Sequence, residues 1–443
     1  MRTSSLDGRK HDVVVCGAGS AGLAAACGAA RAGARTLLLE RYGFCGGTPT
    51  AAMIHTLDAV RNCRDTSVFV VGGFAFELWR RLEQAGGMAT DDNPPETFTI
   101  HPEFMKLAAE RLLRHYGVEV LLYAPVIDAL LRDSAVCGVE ASLRDGRARF
   151  AASVVVDATG DADIAFFAGA PWQLDRDLQA LTYHFRIGNV TGTKNWREME
   201  EACRAAIEDA HRRGLVERYG GPWLIRLAPG EISVNATRVK GNPVDPLQLT
   251  RAGMQAREDM LTIFQILRAG VPELRDSYIL AGATQLHIRE SRKVVGEYVL
   301  TEEDVLSGAR FADAIAVGTW PVDIHPTDGS TGVHLRKEDS PAPYEIPYRC
   351  LVPLQVDNLL IAGRPISTTH RAHGSTRVPG TSMATGQAAG VAAALAAKLG
   401  CTPRELDPGR LRCALEDQAA IISAERVGAA DRAMKSSSLR LEP

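Results

Sequence analysis

The sequence lacks any pair of cysteines separated by two residues, and it lacks a cluster of cysteines at other short spacings. A zinc cluster, an iron–sulfur centre and a redox-active dithiol each require such spacings, so neither a metal site nor a dithiol relay is expected. The number of cysteines, nine, is odd and does not fit a disulfide framework. Reduced thiols in the cytoplasm are therefore the expected state of Cys16, Cys27, Cys45, Cys63, Cys137, Cys203, Cys350, Cys401 and Cys413.

Long hydrophobic runs and an excess of one charge are also missing. The longest apolar run, near 388–397, has about ten residues, whereas a membrane-spanning helix needs roughly 20. Glycines at positions 17, 19 and 22 interrupt the apolar stretch near the N-terminus, which argues against a signal peptide. A net charge of -3 provides no field that would attract nucleic acid or an anionic membrane. We therefore expect neither of these partners.

The composition is that of an ordinary globular protein, with 46% hydrophobic and 23% charged residues. A chain of 443 residues is long enough for two domains, or for one large domain with an insertion. Residues from about 172 to 345 carry most of the charged helices, including the helices expected at 197–214 and 251–269. This change in composition along the chain predicts an inserted domain.

The most informative stretch of the sequence is 12–40. Residues 12–16 (DVVVC) form a short apolar run that is typical of a buried parallel strand. The glycine-rich segment GAGSAG follows, then a helix-forming segment, and TLLLE reads as a second strand that ends at Glu40. The order strand, tight turn, helix, strand predicts one βαβ unit.

The spacing Gly17-x-Gly19-x-x-Gly22 in this context indicates a dinucleotide site. The first glycine permits the tight turn, the second lets the backbone approach a pyrophosphate, and the third allows the helix to pack closely on the strand. Free N–H groups at the start of the helix, at Ser20 and Ala21, would face the phosphates. The alternative is a coincidental glycine turn with Glu40 in solvent.

The residues after this unit favour a flavin dinucleotide over a nicotinamide one. A nicotinamide dehydrogenase would continue with further βαβ units. Here the segment FCGGTPT follows instead. A long segment without further βαβ units comes next, and then a small β-meander that ends in VVVDATGDAD. We expect 46–48 to supply further backbone N–H groups and 158–160 to form a turn beside the cofactor. A purely structural turn at 158–160 is the alternative.

Six ordered blocks carry a resemblance to a known family: DVVVCGAGSAGLAAACGAARAGARTLLLE, FCGGTPTAAMI, VVVDATGDADIAFFAGA, IRESRKVVGEYVLTEEDV, YEIPYRCLVPLQVDNLLIAGRPIS and RAHGSTRVPGTSMATGQAAGVAAALA. They resemble the FAD-dependent oxidoreductase family with the glutathione-reductase type of FAD domain, related to the fumarate reductase flavoproteins. The resemblance implies an α/β fold: a Rossmann-like FAD-binding domain with a β-meander, at 1–170 and 347–443, and an inserted α+β substrate domain at 171–346.

The resemblance also implies a bound FAD, which we expect to be non-covalent, although attachment at His55 or Cys45 is an alternative. Glu40 would hold the adenosine ribose, and Val126 would contact the adenine through its backbone. The full set of expected cofactor contacts is Gly17, Gly19, Ser20, Ala21, Gly22, Glu40, Arg41, Gly47, Thr48, Val126, Ala158, Gly160, Gly363, Arg364, Gly380, Ser382 and Met383.

One residue departs from the pattern of related flavoproteins, many of which have an aspartate after the glycine that ends the last strand. Here Arg364 follows Gly363. Its guanidinium could pair with the pyrophosphate, or it could turn toward a substrate carboxylate. The aspartate's role is not transferred to it.

A basic cluster precedes the alanine-rich helix expected at 381–399. The N-terminus of that helix would stabilise the negative charge of reduced flavin, and its small residues would let it pack close to the flavin ring and the sheet. We expect Arg371 and Arg377 to bind an anion, and His370 or His373 to move a proton. The alternative is that these side chains pair with acids of the insertion.

The predicted insertion contributes further candidates. His325 could be a second acid or base, or a structural residue. Arg289, Glu290 and Arg292 could form an interdomain ion-pair network or contact substrate.

These observations together predict hydride transfer between the flavin N5 and a small, anionic organic substrate bound between the FAD domain and the insertion. A second nucleotide-binding unit for a nicotinamide coenzyme is missing from the sequence. A flavin-dependent monooxygenase and a non-catalytic flavoprotein subunit of a larger complex are the alternatives. The residues leave the oligomeric state open, a homo-oligomer included.

Overall fold

The computed structural model describes residues 2–89, 98–192, 196–217, 221–327 and 340–428. The strands are β1 (Lys10–Cys16), β2 (Thr36–Leu39), β3 (Thr56–Leu57), β4 (Phe98–Thr99), β5 (Glu119–Leu121), β6 (Val126–Arg132), β7 (Ala135–Leu143), β8 (Gly146–Asp157), β9 (Trp172–Gln173), β10 (Phe185–Gly188), β11 (Trp223–Ala228), β12 (Glu231–Asn235), β13 (Tyr278–Gly282), β14 (Lys293–Val294), β15 (Ala314–Gly318), β16 (Tyr344–Pro347) and β17 (Leu359–Ile361). The helices are α1 (Ser20–Arg31), α2 (Thr48–Ala51), α3 (Phe74–Gln84), α4 (Pro102–His115), α5 (Asp163–Phe167), α6 (Trp196–Arg212), α7 (Pro246–Gly270), α8 (Glu302–Ser307), α9 (His370–Thr376), α10 (Pro379–Leu399) and α11 (Pro408–Asp417).

The main sheet has seven strands in the order β5-β2-β1-β8-β7-β6, with β17 also paired to β8. Strand β1 runs parallel to both β2 and β8, and β2 runs parallel to β5. Strands β6, β7 and β8 pair antiparallel, which is the predicted meander. The predicted α/β class, with a parallel sheet and a β-meander, is confirmed.

Strand β8 belongs to both parts of this sheet. Its first half pairs antiparallel with β7, and its second half pairs parallel with β1 and β17. The sequence predicts a meander whose final strand includes 154–156, and the structure has one continuous strand of 12 residues there. No turn residue interrupts 147–156, so nothing in the local sequence breaks the extended backbone.

A second sheet has four antiparallel strands in the order β11-β12-β10-β13. Its apolar face packs with α6 and α7 in a separate core, to which the buried Cys203 and Leu267 contribute. The predicted insertion spans 171–346, yet Leu300, Ile315 and Ile346 lie in the core of the main sheet. The second core therefore draws on a shorter stretch than the prediction, whose domain limits stay a prediction.

Helices α1 and α10 cross at very short range. A Cβ atom on Gly386 would lie 2.1 Å from the carbonyl oxygen of Ala21, and a Cβ on Gly390 would lie 1.9 Å from that of Ala25. The small residues of α10 were expected to face the flavin ring and the sheet. At Gly386 and Gly390 they instead allow close contact with α1. This contact fixes the start of α10 relative to the start of α1.

In the ranges that the structure describes, none of the helices combines the length and the apolar composition needed to cross a bilayer. All nine cysteines lie in those ranges and are free.

Candidate functional site

A cavity of about 270 Å³ lies where the parallel strands of the main sheet end. Its wall includes Gly17 after β1, Glu40 after β2, Ala158 after β8 and Ala362 after β17. The carboxyl ends of four adjacent strands therefore meet at one crevice, which is where open α/β sheets bind their ligands.

Most of the residues expected to contact the cofactor line this cavity. They are Gly17, Gly19, Ser20, Ala21, Glu40, Arg41, Gly47, Thr48, Val126, Ala158, Gly160, Gly363, Arg364 and Ser382. The structure places the other three, Gly22, Gly380 and Met383, in packing contacts behind its wall.

Glycines line one end of the cavity, and we call this surface the glycine cradle. A side chain at these positions would collide with neighbouring backbone atoms. Gly17 has φ +97, and a Cβ on it would lie 2.5 Å from the carbonyl oxygen of Ala158. Gly47 has φ +61, and its Cβ would lie 2.5 Å from the Cα of Gly19. The N-terminus of α1 opens here without a side-chain cap. Such a backbone surface suits the diphosphate of a dinucleotide.

Glu40 is buried in the cavity wall and is held by the backbone. Its carboxylate accepts hydrogen bonds from the N–H groups of Ala18, at 2.6 Å, and Tyr42, at 2.9 Å. Burial raises the pKa of this carboxyl, and the two N–H donors act in the opposite direction. Two backbone bonds leave further acceptor capacity on the carboxylate. That capacity suits the hydroxyl groups of a ribose.

Asp157 is a buried carboxylate that the sequence analysis did not assign. It accepts hydrogen bonds from the Thr159 hydroxyl, at 2.7 Å, and from the Ala165 N–H, at 3.0 Å. These bonds tie the end of β8 to the turn at 158–160 and to the helix α5. The acid that ends the sequence VVVD was the feature that could have identified it. Its carboxylate fixes the turn and the helix start that shape this part of the cavity wall.

The guanidinium of Arg364 is held by protein acceptors. It donates to the carbonyl oxygen of Gly160 at 2.7 Å, to Oδ1 of Asp161 at 2.6 Å, and to the carbonyl oxygen of Ile288. Arg364 thereby ties the loop after β17 to the turn after β8 and to 285–292. Although it lines the cavity, these three bonds give it a structural role that neither sequence alternative included.

Gln285 forms part of the cavity wall that the sequence analysis missed. Its Oε1 accepts hydrogen bonds from Nη2 of Arg41, at 2.6 Å, and from the hydroxyl of Tyr42, at 2.7 Å. The same three side chains line a neighbouring cavity of about 520 Å³, so they form a wall shared by the two. This contact joins the loop after β2 to a segment of the predicted insertion.

The start of α10 forms the other end of the cavity, where Val378, Pro379 and Ser382 line it. No side chain caps this helix. The N–H of Gly380 donates to the Asp58 carbonyl oxygen, whereas the N–H of Thr381 has no acceptor in the described part of the chain. A helix of 21 residues therefore directs its partial positive charge to this end of the cavity.

Arg377 is the predicted catalytic side chain that does line the cavity. Its Nη2 donates to Oδ2 of Asp323 at 2.8 Å and to the Asp323 carbonyl oxygen at 3.1 Å. His325 lies behind this pair, with Nε2 at 3.1 Å from Oδ1 of Asp323. Burial lowers the pKa of His325 to about 4, and its ring is not part of the cavity wall.

His370, Arg371 and His373 also lie outside the cavity wall. His373 is fully buried and donates from Nε2 to the carbonyl oxygen of Arg289 at 3.0 Å, and burial lowers its pKa to about 3. Arg371 is exposed and pairs with Glu302. Because α9 is helical, its side chains point in different directions and do not converge on one ligand.

His370 belongs to a charged cluster away from the cavity. Its Nδ1 lies 2.9 Å from Oε1 of Glu290, and Asp175 is near enough that the three residues could hold a metal ion. The ammonium of Lys293, however, contacts both carboxylates and neutralises part of their charge. The alternative that the basic residues pair with acids of the insertion therefore describes His370, Arg371 and Arg377, whose partners are Glu290, Glu302 and Asp323.

The segment 285–292 brings two further basic side chains to the cavity, His287 and Arg289. Arg289 is buried, and its Nη1 donates to the Ala180 carbonyl oxygen at 2.7 Å and to the Thr182 hydroxyl at 2.6 Å. Arg292 instead pairs with Asp163. Arg289 is a candidate from the sequence, with its alternatives open. His287 is not among those candidates, because its place in the cavity wall depends on pairing with the distant Thr182.

Neither residue considered for covalent attachment lines the cavity. His55 is fully buried, and burial lowers its pKa to about 3. Cys45 is also buried, which raises its pKa to about 12 and disfavours the nucleophilic thiolate.

Comparison with known proteins assigns a family. The family described as FAD dependent oxidoreductase matches residues 12–415. No curated protein matches the chain by sequence.

Several solved structures are similar to this chain. A geranylgeranyl bacteriochlorophyll reductase-like protein from Thermoplasma acidophilum has 14% identity and a TM-score of 0.49, over 97% of this chain and 88% of its own. The myxobacterial chondrochloren halogenase CndH has 15% identity and a TM-score of 0.46, over 93% and 78%. CabE, an aromatic hydroxylase from angucycline biosynthesis, has 14% identity and a TM-score of 0.45, over 96% and 67%. Similarity at this level says nothing about the reaction of this chain.

Proposed function

The chain belongs to the FAD-dependent oxidoreductase family and uses FAD as its cofactor, and on that premise we propose that it transfers a hydride between a small organic anion and the flavin. FAD, when bound, supplies the two-electron acceptor or donor. The chain's own residues hold the cofactor, bind the substrate anion and handle the proton.

The glycine cradle and Glu40 support one orientation of the cofactor. Gly17, Gly19 and the start of α1 would hold the pyrophosphate through backbone N–H groups. Glu40 would accept the hydroxyl groups of the adenosine ribose. The flavin end would then face the N-terminus of α10.

The substrate anion would bind at this flavin end, and the observation that carries the proposal is the state of Arg289. Its guanidinium is buried in the cavity wall, yet its hydrogen bonds go to a carbonyl oxygen and a hydroxyl instead of to a carboxylate. A buried cation without a directly bound anion is costly, so an anionic ligand is the natural partner. Arg377 lines the same cavity and would contribute a second guanidinium, although Asp323 already engages its Nη2.

The test compares small acids with their uncharged amides. Purified protein with its flavin is mixed without oxygen with 2-hydroxy acids, 2-amino acids and the corresponding amides, and the visible absorbance of oxidised flavin is followed. We expect at least one acid to bleach the flavin roughly tenfold or more faster than its amide. Equal rates for acid and amide would contradict the anion site.

Two variants assign the anion site to the cavity. Arg289→Met should remove the preference for the acid, and Arg371→Met, which changes an exposed arginine outside the cavity, should keep it. Retained flavin and an unchanged melting temperature show that each variant is folded.

The two alternatives give different outcomes. A monooxygenase would incorporate labelled oxygen into the product when the reduced protein is returned to air. A non-catalytic subunit would bind FAD and leave it oxidised with every substrate tested.

A further inference from the structure

His287 is the histidine among the residues that line the cavity, and the proposed reaction has not yet used it. It lies on an extended segment whose backbone pairs with Thr182 in both directions, at 2.7 Å and 3.2 Å. Arg289 follows two residues later, and both residues line the cavity. The histidine is thereby fixed next to the proposed anion site.

The two ring nitrogen atoms of His287 differ in their surroundings. Nδ1 is enclosed by protein and has no hydrogen-bond partner. Nε2 is not among the enclosed atoms and forms no hydrogen bond with any described residue, so it is the nitrogen that is open to the cavity. The ring of His184 packs edge-on against His287, with 5.9 Å between the ring centroids. This packing holds the imidazole in one orientation.

Charged groups surround this imidazole. The cations are Arg289 on its own segment, Arg377 before α10, and Arg364 after β17. Asp323 is paired with Arg377, and Asp161 is paired with Arg364. The facing histidine, His184, is itself buried with a lowered pKa, and Asp58 is a further carboxylate in the cavity wall.

Burial and these cations hold the pKa of His287 well below its usual range. The ring is therefore neutral at physiological pH and has one nitrogen with a free lone pair. An anion bound at Arg289 and Arg377 would offset the positive field that opposes protonation.

Resting on the proposed function above, we propose that Nε2 of His287 accepts the proton from a hydroxyl or amino group of the anionic substrate held by Arg289 and Arg377. That group sits on the carbon that gives up the hydride. A bound FAD would take the electron pair of the C–H bond as hydride, and the O–H or N–H bond would break with its proton passing to Nε2 of His287. The electron pair left on oxygen or nitrogen completes a C=O or C=N bond. The substrate class is thus a carboxylic acid bearing an oxidisable alcohol or amine.

His287 should also take up a proton when an unreactive anion binds beside it. If the anion raises the proton affinity of His287, then binding of an unreactive anion takes up protons from solution. By linkage, the anion also binds more tightly as the pH falls, by up to about tenfold per pH unit for uptake of one proton.

The experiment uses the flavin-loaded protein and acetate, benzoate and oxalate as unreactive probes. Isothermal titration calorimetry at about pH 6, in buffers of different ionisation enthalpy, gives the number of protons taken up per anion bound. We expect uptake by the wild-type protein and by His370→Asn, which changes a histidine outside the cavity. We expect His287→Asn and His287→Gln to lose the uptake while still binding an anion.

The outcomes separate this inference from the proposed function. Binding without proton uptake, or uptake that both His287 variants retain, overturns the role of His287 and leaves the anion site in place. Failure of every probe to bind overturns both. If the variants do not fold, the dissociation constant of the wild-type protein is measured as a function of pH. Anion binding that does not vary with pH also overturns the proposal.

Discussion

Gly22 lies so close to Gly17 that a Cβ atom on Gly22 would be 1.7 Å from the carbonyl oxygen of Gly17. The first turn of α1 therefore packs directly on the turn from which it emerges. The same Cβ atom would be 3.2 Å from the Cβ atom of Ala158, which directly follows β8. The shape of the turn that faces the cavity thus depends on a residue that is not itself part of the cavity wall.

Gly22→Ala should therefore abolish or strongly weaken FAD binding. The methyl group must displace backbone at 17 or move α1 outward, which we expect to lower the free energy of unfolding by about 1–3 kcal/mol. The ratio of flavin absorbance to protein absorbance and the urea midpoint measure both effects. Gly253→Ala is the matched control, because the nearest atom to its Cβ is 3.8 Å away and α7 gains helix propensity. Normal flavin content in Gly22→Ala would contradict this account of the turn.

Glu40→Gln should weaken FAD binding roughly 10- to 100-fold, because a side-chain N–H₂ replaces an acceptor that serves two backbone N–H groups and a ribose. Titration of apoprotein with FAD, followed by flavin fluorescence, measures the dissociation constant. Glu119→Gln removes a half-exposed carboxylate beside Arg9, outside the cavity, and should leave the constant unchanged. An equal effect of both changes would argue for a general charge effect.

Gln285→Ala should speed the release of FAD by up to roughly tenfold, since it removes one acceptor used by both Arg41 and Tyr42. The rate is measured by diluting the holoprotein into a flavin scavenger and following the loss of bound flavin. Thr284→Ala changes the exposed neighbouring side chain and is the control. If release were equally slow in both variants, the bridge would have no part in retaining the cofactor.

His370→Asn should destabilise the protein more at low pH than at high pH. The hydrogen bond with Glu290 raises the pKa of His370, so its stabilisation is complete below about 6.5, the usual unfolded value, and is lost as the pH rises through the folded value. Urea unfolding at about pH 5.5 and about pH 8.5 gives the difference in free energy of unfolding between wild type and variant. Glu290 stays ionised across this window, because its pKa is lowered. His115→Asn, on an exposed position of α4, should show no such pH dependence.

Local sequence was sufficient to predict the βαβ unit. The apolar run before Gly17, the glycine spacing and the acid at position 40 all lie within one short stretch, and the structure has β1, α1 and β2 there. The end of α10 was also predictable, because Gly400 adopts φ +67, a backbone conformation that favours glycine.

The basic cluster shows where local sequence was insufficient. His370, His373 and Arg377 are close along the chain, but their orientations depend on α9 and on acids that lie far away in sequence. Conversely, His287 reaches the cavity through long-range pairing with Thr182, which no short window of sequence contains. The spacing of glycines in the sequence predicts the glycine cradle. Which side chains from distant segments come together depends on the assembled fold.

The crossing of Gly386 and Gly390 over α1 has a consequence for biosynthesis. The ribosome makes the dinucleotide turn at 17–22 well before it makes the partner helix α10. Until α10 has left the ribosome, the nascent polypeptide lacks the part of the cavity wall that the start of α10 provides. Messages truncated ahead of α10 should therefore yield products that bind no flavin and are prone to degradation.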